Sequence, residues 1–311
     1  MSTHDPLGAL LDRQGVVVLD GGMATELEAR GHDLSDPLWS ARLLLDDPRA
    51  IAEVHLAYLE AGADCVLSAS YQASLEGFHR RGVGAEEARQ HVLQSVKLAC
   101  EARDAFWRTP PPSRLRPLVA ASVGPYGAAL ADGSEYTGRY DRDEAGLLDF
   151  HAERFALLAG SGADLLACET FPSLSEAGVL LWLLDETPDA RAWFSFTALD
   201  AAHISDGTPL SDVARELHHE RIVGIGVNCV PPALVPGLLA RLAHARARPL
   251  VAYPNSGETW NAAARAWEGA PHGSSPDEAC AAWRDAGAAF LGGCCRVGPA
   301  VIARMRRRLL E

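Results

Sequence analysis

Short apolar runs recur along the chain, separated by stretches in which apolar residues return at helical spacing. The runs predict strands over 16–20, 65–70, 118–123, 165–169, 193–197, 223–228, 251–254 and 290–292. Each is rich in Val, Leu, Ile or Phe rather than alternating, the pattern of a parallel strand covered on both faces. Between them, residues such as Ile51, Val54, His55, Tyr58 and Leu59 share one helical face. Eight strand–helix units in roughly 300 residues is the size of a closed (β/α)8 TIM barrel.

An internal echo supports that reading. YLEAGADCVLSAS at 58–70, LLAGSGADLLACET at 157–170 and WRDAGAAFLGGCC at 283–295 each end a helix, turn at a glycine and enter a strand. Gly62, Gly162 and Gly287 stand where an αβ connection needs a left-handed cap. No Gly-x-Gly-x-x-Gly follows the first strand, so a closed barrel is preferred to an open doubly wound sheet. The long inserts at 21–50, 72–84 and 126–146 are expected to arch over the catalytic face. The Pro-rich stretch RTPPPSRLRP at 108–117 reads as a loop on the opposite face, not a linker, and 1–311 is expected to be one domain.

Composition narrows the function. Of 311 residues, 28 are Lys or Arg and 41 Asp or Glu, a formal charge of −13. That balance disfavours nucleic acid and anionic membranes as partners. The basic run MRRRLL near the C-terminus is expected on the solvated face of a helix over 299–311. Seven cysteines are too sparse for a secreted disulfide framework. The N-terminus lacks the pattern of a secretory signal, and no apolar run reaches the roughly 18 residues of a membrane span. The expected location is cytoplasmic. Lys97 is the sole lysine, expected on the solvated face of a helix over 86–106. Schiff-base chemistry and a Lys-bearing phosphate loop therefore have almost no candidate.

The strongest chemical signal lies at two strand ends, GIGVNC with Cys229 and FLGGCC with Cys294 and Cys295. In a barrel both open onto one face, and three thiolates with one open position suit zinc. A zinc ion so ligated suits binding and deprotonating a further thiol better than hydrolysis. A redox vicinal pair and inert packing are the alternatives. Cys65, Cys100, Cys168 and Cys280 read as packing residues. Asp20 ends the first strand and Glu169 the fourth, as a glycosidase-like acid pair or as partners for a substrate ammonium, the second reading being preferred beside a thiolate site. Gly21 and Gly22 permit close backbone approach to a ligand. Asn228 and Asn255 close two strands, Ser68, Tyr71 and Gln72 close another, and Trp39 and Trp260 are candidates for a cation cage. The histidines show no metal-binding spacing, and His218–His219 is placed on a charged helical face.

Taken together, LDGGMATELEARG at 19–31, DPLWSARLL at 36–44, SASYQAS at 68–74, ASVGPYGA at 121–128, CETFPS at 168–173, SDGTPL at 205–210, GVNC at 226–229, YPNSGE at 253–258 and GGCC at 292–295 resemble the homocysteine S-methyltransferase family, and within it the bacterial enzymes that use S-methylmethionine. The resemblance covers nearly the whole chain. It implies a (β/α)8 barrel around a catalytic Zn2+ held by Cys229, Cys294 and Cys295, with the sulfur of L-homocysteine as a further ligand. It implies that Asp20 and Glu169 hold the homocysteine ammonium, that the Gly21 amide approaches the amino acid, and that Asn228 keeps the family pattern beside the first zinc cysteine. Trp39 falls in the loop that contributes an aromatic residue to the donor site of betaine-using relatives. Gln72 stands where those relatives carry a donor-site tyrosine, and the chain stops soon after the eighth strand, without their dimerisation arm. The implied donor is therefore a small sulfonium, S-methylmethionine first and S-adenosylmethionine second, in a monomer or small homo-oligomer. The rival readings are transfer to selenohomocysteine or another small thiol, and a non-enzymatic zinc or redox-sensing protein.

Overall fold

The computed structural model describes every residue except 1–4, 35, 37, 246–248, 262–265 and 270–273, and every side chain of the remainder except those of 259–261 and 266. Eight strands make one sheet: β1 Val17–Val18, β2 Cys65–Leu67, β3 Leu118–Val123, β4 Leu165–Phe171, β5 Ala192–Phe196, β6 Ile222–Asn228, β7 Leu250–Tyr253 and β8 Ala288–Leu291. All neighbours are parallel, in the order β1-β8-β7-β6-β5-β4-β3-β2. A further parallel bridge from Leu19 to Cys65 joins β1 to β2 and closes the barrel. Each strand the sequence predicts is found in its place. β1 and β2 pair over fewer residues than expected, and β4 runs on to Phe171 through a left-handed Thr170.

The strands form because their two faces bury different partners. Val17, Leu19, Cys65, Leu118, Ala120, Leu165, Ala167, Trp193, Val251, Tyr253 and Phe290 fill the interior. Their sequence neighbours Val18, Val66, Val119, Leu166, Cys168 and Phe194 pack outward with the helices. The largest interior rings are Trp193, Tyr253 and Phe290, and β6 offers Gly224 and Gly226 where β7 and Phe290 come close. A Cβ at Gly226 would run into the Val251 carbonyl, so only glycine fits there.

The repeated turns have a physical reason. Gly62, Gly162 and Gly287 all take positive φ, 112°, 86° and 100°. The aspartates that follow the first two of them close the base of the barrel. Asp64 accepts the Val18 amide at 3.2 Å and Asp164 the Val119 amide at 2.8 Å. Arg114 and Arg306 neutralise Asp64, and Arg103 neutralises Asp164.

Three local features depart from the sequence reading. A helix not anticipated, Pro6–Gln14, buries Leu7 and Leu10 in the interior cluster, beneath the barrel. A two-stranded antiparallel hairpin, Thr259–Asn261 with Ala266–Glu268, follows β7. His218 and His219 are not on a helical face: the helix Leu210–Glu216 ends before them, and the His219 ring accepts the Arg221 amide at 3.1 Å, a local bond that competes with helix. Lys97 lies in the helix Ala85–Trp107 and is 72% exposed, as expected. Among the described residues no helix is long and apolar enough to cross a membrane.

Above the apolar interior lies a polar layer. Tyr253 Oη meets Trp193 Nε1 at 3.1 Å and Ser195 Oγ at 2.6 Å. Ser195 donates to Asn228 Oδ1 at 2.8 Å. The Asn228 amide then spans to Thr170: Oδ1 accepts its N–H at 2.8 Å and Nδ2 donates to its Oγ1 at 2.7 Å. Thr170, at φ 63°, is thereby held in a conformation that a β-branched residue rarely adopts.

Two consequences can be measured. Asn228→Ala removes three buried bonds and strands their partners, and is expected to lower unfolding free energy by about 3 kcal/mol in urea titrations; a loss under 1 kcal/mol would show that Thr170 holds its conformation without the amide. His55, on the helix Pro48–Ala61, is fully buried with neither ring nitrogen hydrogen-bonded, and burial depresses its pKa to about 3. The unfolded imidazole takes up a proton below about pH 6.5, whereas the folded one does not until about pH 3. Its contribution is therefore intact above pH 6.5 and is lost at up to about 1.4 kcal/mol per pH unit on acidification below it. His55→Leu is expected to flatten the fall in stability between pH 6 and 4 relative to the parent; parallel profiles would exclude His55 as its source.

Candidate metal centre and cavity

Each metal-site cysteine is positioned by backbone at the C-terminal end of a strand. Cys229 directly follows β6 at φ 52°, with its amide donating to Tyr253 O at 3.2 Å. That left-handed step redirects the chain where an extended residue would continue along the sheet. Cys294 and Cys295 lie just past β8, the Cys294 amide on Pro254 O at 2.8 Å and Cys295 O accepting the Ser256 amide at 3.2 Å. Asn255 joins the loop after β7 to the first of these ends: its Nδ2 donates to Cys229 O at 3.4 Å and its Oδ1 accepts the Gly257 amide at 2.9 Å. Gly22 leaves room for them, since a Cβ there would press on Cys294 O and Cys295 Cα. Gly21 lines the cavity, but its missing side chain is required by Val297 and Tyr58.

The three sulfurs lie within 4.8 Å of one another. Cys229 Sγ is 3.7 Å from Cys295 Sγ, and Cys294 Sγ is 4.0 Å from it. Tetrahedral zinc at a Zn–S distance of ~2.3 Å would set sulfurs about 3.8 Å apart, close to these two separations. Electrostatics agree. Hydrogen bonds from Cys294 and Cys295, and one with Tyr136 Oη at 3.3 Å, hold the Cys229 thiol well below the usual range. The same sharing with Cys229 pushes Cys294 and Cys295 up. One thiolate is stable alone, and three need a cation. The cluster is positioned to hold a metal ion.

The cluster sits at one wall of a cavity of about 550 Å³. Loops after β1 and β3 cover it, through the helix Met23–Ala29, the 3-10 turn Trp39–Arg42 and the turn Ser134–Tyr136, whereas of the insert 72–84 only Gln72 lines it. Six carboxylates line it, Asp20, Glu28, Asp33, Asp36, Glu135 and Glu169, and no Lys or Arg among the described residues does. Asp20 and Glu169 are the deepest. Asp20 accepts the Leu67 amide at 2.9 Å, and Glu169 is hydrogen-bonded by Ser122 Oγ. Burial, reinforced by Glu169, raises Asp20 well above its ordinary range, and burial pushes Glu169 up to about 7. Neither caps a helix.

Of the other residues singled out by sequence, Trp39, Ser68, Tyr71 and Gln72 line the cavity. Asn228 does not: it is wholly buried beneath, its amide spent on Thr170 and Ser195. The side chain of Trp260 lies outside the described residues, and its cross-strand neighbour Trp267 lines the cavity instead. Tyr136, Glu135, Tyr253 and Trp267 were missed. The only sequence signal for the first two was their place in an insert after the third strand. Cys65, Cys168 and Cys280 are buried in packing and Cys100 half-buried against the core, away from the cluster.

Comparison with known proteins places this geometry. The homocysteine S-methyltransferase family profile matches residues 17–309. A homocysteine S-methyltransferase from Escherichia coli strain K12 is 48% identical over 316 residues, covering 99% of this chain and 100% of its own. The homocysteine S-methyltransferase YbgG of Bacillus subtilis strain 168 is 46% identical over 298 residues, covering 95% of each. The crystal structure of the Escherichia coli homocysteine methyltransferase MmuM in its metallated form superposes with a TM-score of 0.87 at 46% identity, covering 97% of this chain and 99% of that one. The chain belongs to the homocysteine S-methyltransferase family.

Proposed function

We propose that this chain transfers a methyl group from S-methylmethionine to the sulfur of L-homocysteine, with zinc at Cys229, Cys294 and Cys295. The observation that carries the reading is a three-sulfur cluster, spaced as a tetrahedral edge set, on the wall of a cavity lined by carboxylates and by no described Lys or Arg. Such a lining favours substrates that bring positive charge. S-methylmethionine has a net charge of about +1 at neutral pH, whereas betaine is neutral overall. Zinc, when bound, supplies the positive charge that lets a fourth thiol ionise at neutral pH.

The protein's own groups do the rest. Asp20 and Glu169 face one ammonium: each resists ionising because of burial, and Asp20 also because of Glu169. An ammonium between them reverses both penalties and fixes the homocysteine amino end. Ser122 on Glu169 and the Leu67 amide on Asp20 hold the two carboxylates in place. The aromatic walls Trp39, Tyr71, Tyr136 and Trp267 face the donor, where neutral π-surfaces receive sulfonium methyls. The methyl–sulfonium bond breaks with its electron pair left on the donor sulfur, and a new S–CH3 bond forms on homocysteine. With this donor both products are methionine, and the thiol proton leaves to solvent. No general base acts at the methyl carbon; alignment of the two sulfurs is the protein's contribution.

Incubating the zinc-loaded protein with homocysteine and, in turn, S-methylmethionine, S-adenosylmethionine and betaine is expected to give methionine fastest from S-methylmethionine; methionine from none of them refutes the reading. Glu169→Gln is expected to raise the homocysteine KM about 10- to 100-fold, as loss of a charged hydrogen bond implies, while zinc stays bound. An unchanged KM removes Glu169 from the ammonium site. Cys229→Ser is expected to lose zinc, measured by metal analysis, together with activity. Full activity in a metal-free variant contradicts the assigned centre.

A further inference from the structure

Two acceptors in the cavity remain unused once the metal, the homocysteine ammonium and the aromatic walls are assigned. Glu135 Oε2 and Gln72 Oε1 are both buried and both without a hydrogen-bond partner, and both residues line the cavity. Gln72 is only 7% exposed, and its Nε2 donates to Ala128 O at 3.2 Å. Because that partner is a carbonyl, the amide orientation is fixed and the oxygen is the free end. Glu135 sits in a well-held turn whose Gly133 and Glu135 amides reach its carboxyl but leave Oε2 open: Thr197 Oγ1 donates to its carbonyl at 3.4 Å, and Asp132 accepts the neighbouring Ser134 amide at 2.9 Å.

The two residues come from adjacent loops and meet at the same short helix, Tyr126–Leu130. Gln72 bonds to Ala128, and Gly127 lies so close beneath Glu135 that a Cβ there would strike the Glu135 amide. Glu135 is also next to Tyr136, whose hydroxyl touches Cys229. The pair thus comes from the loops after β2 and β3, whereas Asp20 follows β1 and Glu169 lies within β4. Burial pushes the Glu135 carboxyl up to about 7, with the Cys229 charge adding to it. Backbone amides at Gly133 and Glu135 meet the carboxyl only in part, so its Oε2 and Gln72 Oε1 stay buried acceptors without donors, a costly state that a donor-rich cation relieves.

The class of cation follows from the chemistry of the transfer. A sulfonium offers no N–H to two acceptors. It also loses its charge as the methyl leaves, so a carboxylate against it would hold the ground state back. A primary ammonium offers three N–H donors and keeps its charge throughout. We infer that Glu135 and Gln72 receive the α-ammonium of the methyl donor, so that the site selects sulfonium donors carrying a primary amine. The inference rests on the methyl-donor reading above and extends it to the recognition of the donor's amino-acid end.

The test separates the two. Calorimetry on the zinc-loaded protein without homocysteine reads donor binding with no turnover, using S-methylmethionine and dimethylsulfoniopropionate, a sulfonium without an ammonium. Glu135→Gln is expected to weaken S-methylmethionine at least 10-fold in Kd and in KM, with kcat and the homocysteine KM within about twofold of the parent. Its binding of dimethylsulfoniopropionate, weaker than S-methylmethionine in the parent, is expected not to change further. Gln72→Met, which keeps the shape and drops the oxygen, gives a smaller effect in the same direction and an independent reading should the first variant misfold. Equal weakening of both sulfoniums, an unchanged S-methylmethionine Kd, or a shift confined to homocysteine overturns the assignment. If the parent makes no methionine from any donor yet Glu135→Gln still abolishes S-methylmethionine binding, the proposed function fails and this ammonium site stands.

Discussion

Mutual repulsion among three sulfurs governs this molecule's upper face. Cys294 and Cys295 sulfurs are 4.0 Å apart, and two thiolates at that distance repel by about 4 kcal/mol at an effective dielectric of about 20. That is close to a thousandfold against ionising the second, and the third meets both. Elsewhere such a charge could be met by a basic side chain, but the described cavity lining holds six carboxylates and neither Lys nor Arg. The arrangement is tolerable as one shared thiolate, which is the state in which Cys229 is held low and its partners high. A dication changes the balance for all three at once. The cluster's affinity for metal and its discomfort without one are the same electrostatic fact.

Holding those sulfurs so close is a backbone problem before it is a chemical one. Cys229 leaves β6 in a left-handed conformation, and Thr170 in β4 is left-handed too. Both are costly for residues with a Cβ. Asn228, the residue before Cys229, bonds through its side-chain amide to Thr170 and Ser195. Below this layer the barrel is packed with Trp193, Tyr253 and Phe290, and the glycines of β6 make room for Val251 and Phe290. Rigidity underneath allows strain above. A looser interior would let Thr170 and Cys229 relax, and the sulfur spacing would widen.

What could be read from sequence and what could not divides along the same line. Strand ends are legible, because apolar runs show where a parallel strand stops and a barrel places those ends together. Cys229, Cys294, Cys295, Asp20 and Glu169 all sit at such ends, and the structure brings them to one cavity. Loop residues are not legible in that way. Glu135, Tyr136 and Trp267 reach the cavity through inserts whose path depends on tertiary contacts such as Tyr136 on Cys229 and Thr197 on Glu135. Asn228 shows the converse limit: its position at a strand end was visible, but not that its amide turns toward β4. The helix Pro6–Gln14 was overlooked because it follows no strand and belongs to no βα unit. His218 and His219 were misplaced because a side-chain bond to the Arg221 amide outbids helical propensity, a contest that periodicity does not record.

The distribution of charge across the cavity follows the bookkeeping of the reaction proposed for it. As a methyl passes from sulfonium to thiolate, a positive and a negative charge vanish together, while the ammonium groups of both amino acids persist. Fixed carboxylates are useful only against charges that persist, because interactions equal in ground and transition states anchor a substrate without slowing it. Against a charge that disappears, the same carboxylate would add to the barrel's grip on the reactant and so to the barrier. The acids in the deepest positions, Asp20 and Glu169, suit the acceptor's ammonium, and Glu135 with Gln72 suits the donor's. The same cavity is lined by the neutral rings of Trp39, Tyr71, Tyr136 and Trp267. Cation–π attraction of about 0.5–2 kcal/mol is enough to orient a sulfonium and little to forfeit when its charge is gone. A site built the other way round, with a carboxylate against the sulfonium, would bind its donor more tightly and turn it over more slowly.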